Sequence, residues 1–201
     1  MNNLDRIFVD DAAEFARRYL LYLNEVVQAI DPEAIARFVK TLLQARADGA
    51  TIYFIGNGGS ASTASHFAND LAIGTNSYIK PFRVMSLTDN QAIITALAND
   101  FGFEEVFVRQ LQVVGKSGDV LVAISASGNS PNVIRAMEYV SGANIKTIAI
   151  TAFDGGQMKH IADDGIHVPT GSREYGPAED AHMVLDHMIG AYLTRLVKRD
   201  G

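Results

Sequence analysis

The 201 residues contain no cysteine and no tryptophan, and only five prolines. Without cysteine there is no disulfide, no thiolate metal site and no thiol nucleophile, and the chain suits a reducing compartment. Long apolar runs are missing too. None reaches the ~20 residues that cross a bilayer, and the opening MNNLDRIFVDD has neither the basic stretch nor the apolar core of a signal segment. The expectation is a cytoplasmic protein with no membrane partner. Runs of Lys or Arg are likewise absent. With 17 basic against 23 acidic residues the net charge is −6, which argues against direct nucleic-acid contact and makes any anionic ligand a small one.

What is present is ordinary globular material, 48% hydrophobic and 20% charged. One domain over residues 1–201 is expected, with N-terminal helices in 1–49 and a layered α/β body in 50–201. Apolar residues recur at helical spacing from Asp10 to about Ile30. Asp31-Pro32-Glu33 reads as N-cap, first helical position and acidic first turn of a second helix that ends near Gly49. The first helix has no crossover role, so its apolar face calls for a partner, and a neighbouring subunit serves. Beyond Gly49, short apolar runs alternate with helices. Strands are expected at Ile52, at Phe82 to Leu87, at Asp119 to Ser125, at Ile145 to Thr151 and near Ile166 to Pro169. Helices are expected from Asp89 as N-cap through Ala98, over Phe103 to Val114, Pro131 to Val140 and Met158 to Ala162, and from Ala178 to about Val197. Such alternation indicates an α/β fold with a parallel sheet covered on both faces.

Two stretches carry the chemistry. IYFIGNGGSASTASHFANDL, from Ile52 to Leu71, runs from an apolar strand through a glycine turn into a helix, and VLVAISASGNSPNVIRAM, from Val120 to Met137, repeats the plan with small residues. Unpaired backbone N–H groups and the positive end of the helix dipole favour an anion at such turns, and Ser60, Ser125, Ser127 and Ser130 add hydroxyl donors. Singly, GNGGS reads as well as a mere tight turn, and SGNS as a mere N-cap, as either does as an anion site. Together, at the ends of two strands of one sheet, they point to a phosphate.

GNGGS followed by H-F-A-x-x-L, ANDFGFEEVF and A-x-S-G-N-S together resemble the sugar isomerase (SIS) family, in its phosphoheptose isomerase branch. The resemblance spans nearly the whole chain. It implies a five-stranded parallel sheet in a flavodoxin-like three-layer sandwich, a homotetramer with active sites between subunits, and isomerisation of sedoheptulose 7-phosphate to D-glycero-D-manno-heptose 7-phosphate. Its substrate contacts correspond to Asn57, Gly58, Gly59, Asn99, Asp100, Ser125, Ala126, Ser127 and Ser130. Its metal positions correspond to His66, Asp70, Glu179 and His187, for zinc or another divalent ion. Asp70 and Glu179 depart from the family's Glu and Gln, and Gly176 stands where many relatives have Asp.

Read on their own, His66 and Asp70 lie one turn apart on one helix face, where they can ligate one ion or simply pair with each other. Glu179 and His187 share a helix at a looser spacing, with His182 as a rival ligand, and Glu179 also suits a first-turn acid favoured by the dipole. His160 and His167 read as surface residues. Aldose–ketose isomerisation needs a base for the proton beside the carbonyl and a group that returns it. Asp70 is the expected base and His187 its partner; Glu179 in place of Gln adds a second negative charge and, with the metal, is expected to take over part of the role of the family's longer Glu. A non-catalytic sugar-phosphate-binding module, a replication-initiation adaptor and an isomerase of a different phosphosugar remain as alternatives.

Overall fold

The computed structural model describes residues 2–198. Five parallel strands form one sheet: β1 (Thr51–Gly56), β2 (Arg83–Ser86), β3 (Val120–Ser125), β4 (Lys146–Thr151) and β5 (Asp164–His167), in the order β2-β1-β3-β4-β5. Every residue of β3 is buried, as expected of a central strand covered on both faces. Side chains alternate faces along β1. Ile52 and Phe54 enter one core with Phe38, Leu42, Phe67, Leu185 and Leu193, while Tyr53 and Ile55 enter the other with Leu111, Val133 and Met137.

The first core is roofed by α2 (Ala12–Gln28), α3 (Pro32–Asp48), α4 (Gly59–Asn69) and α9 (Tyr175–Val197). The second is roofed by α6 (Val108–Val114), α7 (Pro131–Gly142) and the short α8 (Met158–Ile161), with α5 (Gln91–Phe101) packed at its margin. A short α1 (Asn3–Ile7) precedes them. The expected start of α3 is realised: the Asp31 carboxylate accepts from the Glu33 N–H, Pro32 occupies the first turn, and Gly49 closes the helix in the left-handed conformation.

Several boundaries differ from the sequence reading. The N-cap of α5 is Asn90, whose side chain accepts from the Ile93 N–H; Asp89 instead accepts from Ser65 and Thr88. β5 begins at Asp164, and α9 begins at Tyr175. Glu179 is therefore past the first turn of its helix, where the dipole argument no longer applies. α4 ends in a π-turn, Asp70–Gly74, which periodicity did not signal. The first long helix also finds an intramolecular partner, because Tyr22 and Val26 are buried in the first core and Tyr19 donates to Asp180 on α9 at 2.5 Å.

The crossover from β1 leads outward to β2, whereas that from β3 leads the opposite way to β4. The loops after β1 and β3 consequently open side by side at the carboxyl ends of adjacent strands, where the direction of winding reverses and α/β sheets leave a crevice.

Candidate active site

The two loops are tied together. Asn57 and Asn132 exchange a reciprocal pair of amide hydrogen bonds, at 2.8 and 2.9 Å, one side chain from each loop-to-helix junction. Asn57, expected to contact substrate, thus commits both of its amide atoms to holding the loops in register. Asn132 went unsignalled, since an Asn just inside a helix reads as ordinary capping chemistry. Beside this clamp the Ser125 Oγ lies 3.5 Å from Ser127 Oγ and 3.3 Å from Ser130 Oγ. Ser130 is the N-cap of α7 yet its hydroxyl makes no capping bond, so it remains available to a ligand. Ser60 is buried in the first turn of α4, and Ala126 is buried with its carbonyl accepting from Ala152 N–H. Gly58 adopts φ +54°, a left-handed conformation that a β-carbon disfavours. Helix α4 has no side-chain cap there, which leaves first-turn N–H groups facing the crevice.

The second half of the site lies where α4 packs on α9. His66, Asp70, Asp186 and His187 each offer one ligand atom, and those atoms all lie within 4.8 Å of one another. His66 Nε2 is 3.9 Å from Asp70 Oδ1, and His66 Nδ1 is 2.9 Å from Asp186 Oδ2 and 3.1 Å from Met183 Sδ. The rings of His66 and His187 meet edge to face at 4.9 Å between centroids. The π-turn begins at Asp70 and brings it against α9 at Gly190, where a β-carbon would touch the Asp70 side chain at 3.6 Å. π-turns inside helices recur at functional sites. Asp186 was not foreseen. It is fully buried, and neither of its oxygens finds a hydrogen-bond partner among the described residues. Burial, reinforced by the Asp70 charge and opposed by His66, pushes its carboxyl up to about 7. Two imidazoles and two carboxyl groups, one of them fully buried, form a donor set that suits a divalent cation.

Glu179 stands elsewhere. It is half-buried over Gly59, so close that any β-carbon on that glycine would collide with its carboxylate. Burial and the neighbouring Asp180 charge raise its pKa. Asn99 and Asp100 are exposed at the end of α5 and bonded to each other at 2.8 Å. His182, the rival ligand, is fully buried outside the cluster, with burial holding its pKa down to about 4. His167 is no surface residue: it is half-buried, and its Nδ1 lies 3.1 Å from Thr151 Oγ1.

A family model for the SIS domain matches residues 14–152. The phosphoheptose isomerase of Akkermansia muciniphila is 36% identical over 183 residues, which cover 88% of this chain and 94% of that protein. That of Helicobacter pylori strain 26695 is 38% identical over 157 residues, covering 78% of this chain and 81% of its own length. Among solved structures, the phosphoheptose isomerase of Neisseria gonorrhoeae matches with a TM-score of 0.78 and 31% identity, covering 90% of this chain and 95% of that one. The enzyme from Francisella tularensis matches with a TM-score of 0.79 and 26% identity, covering 92% and 99%.

Proposed function

This chain belongs to the SIS domain family, in its phosphoheptose isomerase branch, and from that premise we propose that it isomerises sedoheptulose 7-phosphate to D-glycero-D-manno-heptose 7-phosphate. The observation that carries the proposal is the convergence of His66, Asp70, Asp186 and His187 on one point. A module that merely holds a sugar phosphate has no use for two imidazoles and two carboxylates there.

The phosphate is bound by Ser125, Ser127 and Ser130, with Ser60 and the free N–H groups of Gly58 and Gly59, in a crevice held open by the Asn57–Asn132 clamp. Asp70 removes the proton from the carbon beside the carbonyl. His187, exposed at the rim of the cluster, carries a proton between the two oxygens or returns it to the neighbouring carbon. Glu179, its pKa raised by burial and by the neighbouring Asp180 charge, lies beside the glycine loop and meets the sugar hydroxyls. Asn99 and Asp100 complete the substrate contacts. Zinc or another divalent ion held by His66, Asp70 and His187 would polarise the carbonyl and hydroxyl together. The working protein is a cytoplasmic homotetramer whose product feeds a heptose-containing surface polysaccharide.

The test is an NMR time course with sedoheptulose 7-phosphate and with shorter ketose phosphates, with and without added zinc. Selective turnover of the heptulose phosphate is expected, lowered by a hundredfold or more in Asp70→Asn. Equal turnover of a hexulose phosphate, or none of either, overturns the substrate assignment.

A further inference from the structure

Helix α9 offers two acids to the neighbourhood of the site, and they are not equivalent. Glu179 and Asp186 are separated by nearly two turns, about 10 Å along the helix axis. Glu179 sits over Gly59. Asp186 faces α4, with Oδ2 2.9 Å from His66 Nδ1. Its side chain has no solvent exposure, and both oxygens lack a hydrogen-bond donor. The His66 Nδ1 at that distance balances the carboxylate only if the imidazole is protonated. A buried carboxylate in that state is strongly destabilising unless a proton or a cation balances it, and Asp70, within the same cluster, adds a second negative charge.

We propose that Asp186 is a direct ligand of the divalent cation, so that the donor set of this chain is His66, Asp70, Asp186 and His187, while Glu179 is left to the substrate. The inference rests on the metal-assisted isomerase reading and deepens it. Two carboxylates would neutralise a doubly charged ion, and two imidazoles would add neutral nitrogen donors. The donor atoms lie within 4.8 Å of one another, whereas donors about 2.1 Å from one tetrahedral ion stand about 3.4 Å apart, so binding would draw the more widely spaced donors together. The short reach of Asp70 is thereby offset from the opposite helix. Asp186 does this from within the apolar stripe of Leu185, Ile189 and Leu193, and that position is what buries it.

Cobalt(II) added to the metal-free full-length protein tests the assignment through its visible spectrum and a competing chelator. Asp186→Asn is expected to weaken cobalt binding at least tenfold and to shift the visible bands, whereas Glu179→Gln leaves both unchanged. Because the chain has no cysteine, Asp186→Cys supplies a specific signature: a thiolate-to-cobalt charge-transfer band that nothing else in the protein can produce. Folding is checked by melting the metal-free variants. Asp186→Asn, which keeps the size of the side chain, should still melt cooperatively and should lose the stabilisation that cobalt confers. Wild-type affinity and spectrum in Asp186→Asn, together with no band in Asp186→Cys, overturn the proposal. So does a wild-type protein that binds no cobalt, even if it isomerises the heptulose phosphate. Cobalt binding that depends on Asp186 in a protein without turnover supports the ligand assignment and sinks the isomerase reading instead.

Discussion

His182 shows how one buried side chain can set a pH limit on stability. Its ring is fully buried on α9, and burial lowers its pKa from 6.5 to about 4, opposed by a hydrogen bond with the Thr151 backbone. The unfolded chain therefore binds a proton in a window, between about pH 6.5 and pH 4, where the folded chain refuses it. Stability from this group is complete above pH 6.5 and is lost as the pH falls toward 4, by roughly 3 kcal/mol at 1.36 kcal/mol per pKa unit. His182→Leu keeps an apolar filling and removes the titration. The difference in unfolding free energy between wild type and His182→Leu should therefore shift by about that amount, in the variant's favour, from pH 7 to pH 4. Contributions common to both proteins, such as that of Asp186, cancel in the comparison. Urea melts across the range measure it, and a constant difference would show that His182 is not neutral by burial.

At the scale of the element, each strand-loop-helix unit leaves part of an anion site and the Asn57–Asn132 pair joins the parts. Ser125 and Ser130 are 3.3 Å apart at the centre of the second loop. Each hydroxyl contact to a charged acceptor is worth about 1.5–3 kcal/mol, so Ser125→Ala with Ser130→Ala should weaken sugar-phosphate binding by two orders of magnitude or more with the fold intact. Calorimetry decides it, and unchanged affinity would move the phosphate elsewhere. These loops were legible in the sequence because glycine, serine and strand-forming runs have local meanings: Gly58 needs its positive φ, and β3 reads as a continuous apolar run because both its faces are covered. Local meaning also placed Asp31 and Pro32 correctly. It failed where packing decides. Asp186 occupies a position in the apolar stripe of α9 and gives no polar rhythm of its own. The π-turn at Asp70 is formed where α4 packs against α9 beside Gly190, a contact between distant segments that carries no local signature. Glu179 and Asp186 look alike on paper as α9 acids, and their separation of nearly two turns along the helix sends one to the glycine loop and the other to His66.

The whole molecule leaves apolar side chains uncovered along one flank. Leu20 and Leu21 on α2 are 64% and 66% exposed, and Ile73, Val184, Met188 and Tyr192 surround the α4–α9 seam with exposures from 37% to 60%. Scattered exposed leucines are normal, but these belong to the π-turn and to two helices already packed together, α2 on α9 through Tyr19–Asp180 and Tyr22–Glu174. The last of them flank His187, itself exposed at the rim of the cluster. A second copy laid over this flank would bury the apolar surface and exclude water from the rim of the site together, which is the physical reason to expect the homotetramer and the catalytic site to depend on each other. Leu20 and Leu21 lie on α2 and take no part in the cluster, so they separate assembly from chemistry. Replacing both by Asp would bury two unpaired charges in that interface, a cost of several kcal/mol. Light scattering of the wild type at micromolar concentration should report a tetramer, and Leu20→Asp with Leu21→Asp a smaller species that still binds the metal but turns over at least tenfold more slowly. A monomeric wild type sinks the tetramer, and a dissociated variant with full turnover shows that each subunit completes its own site.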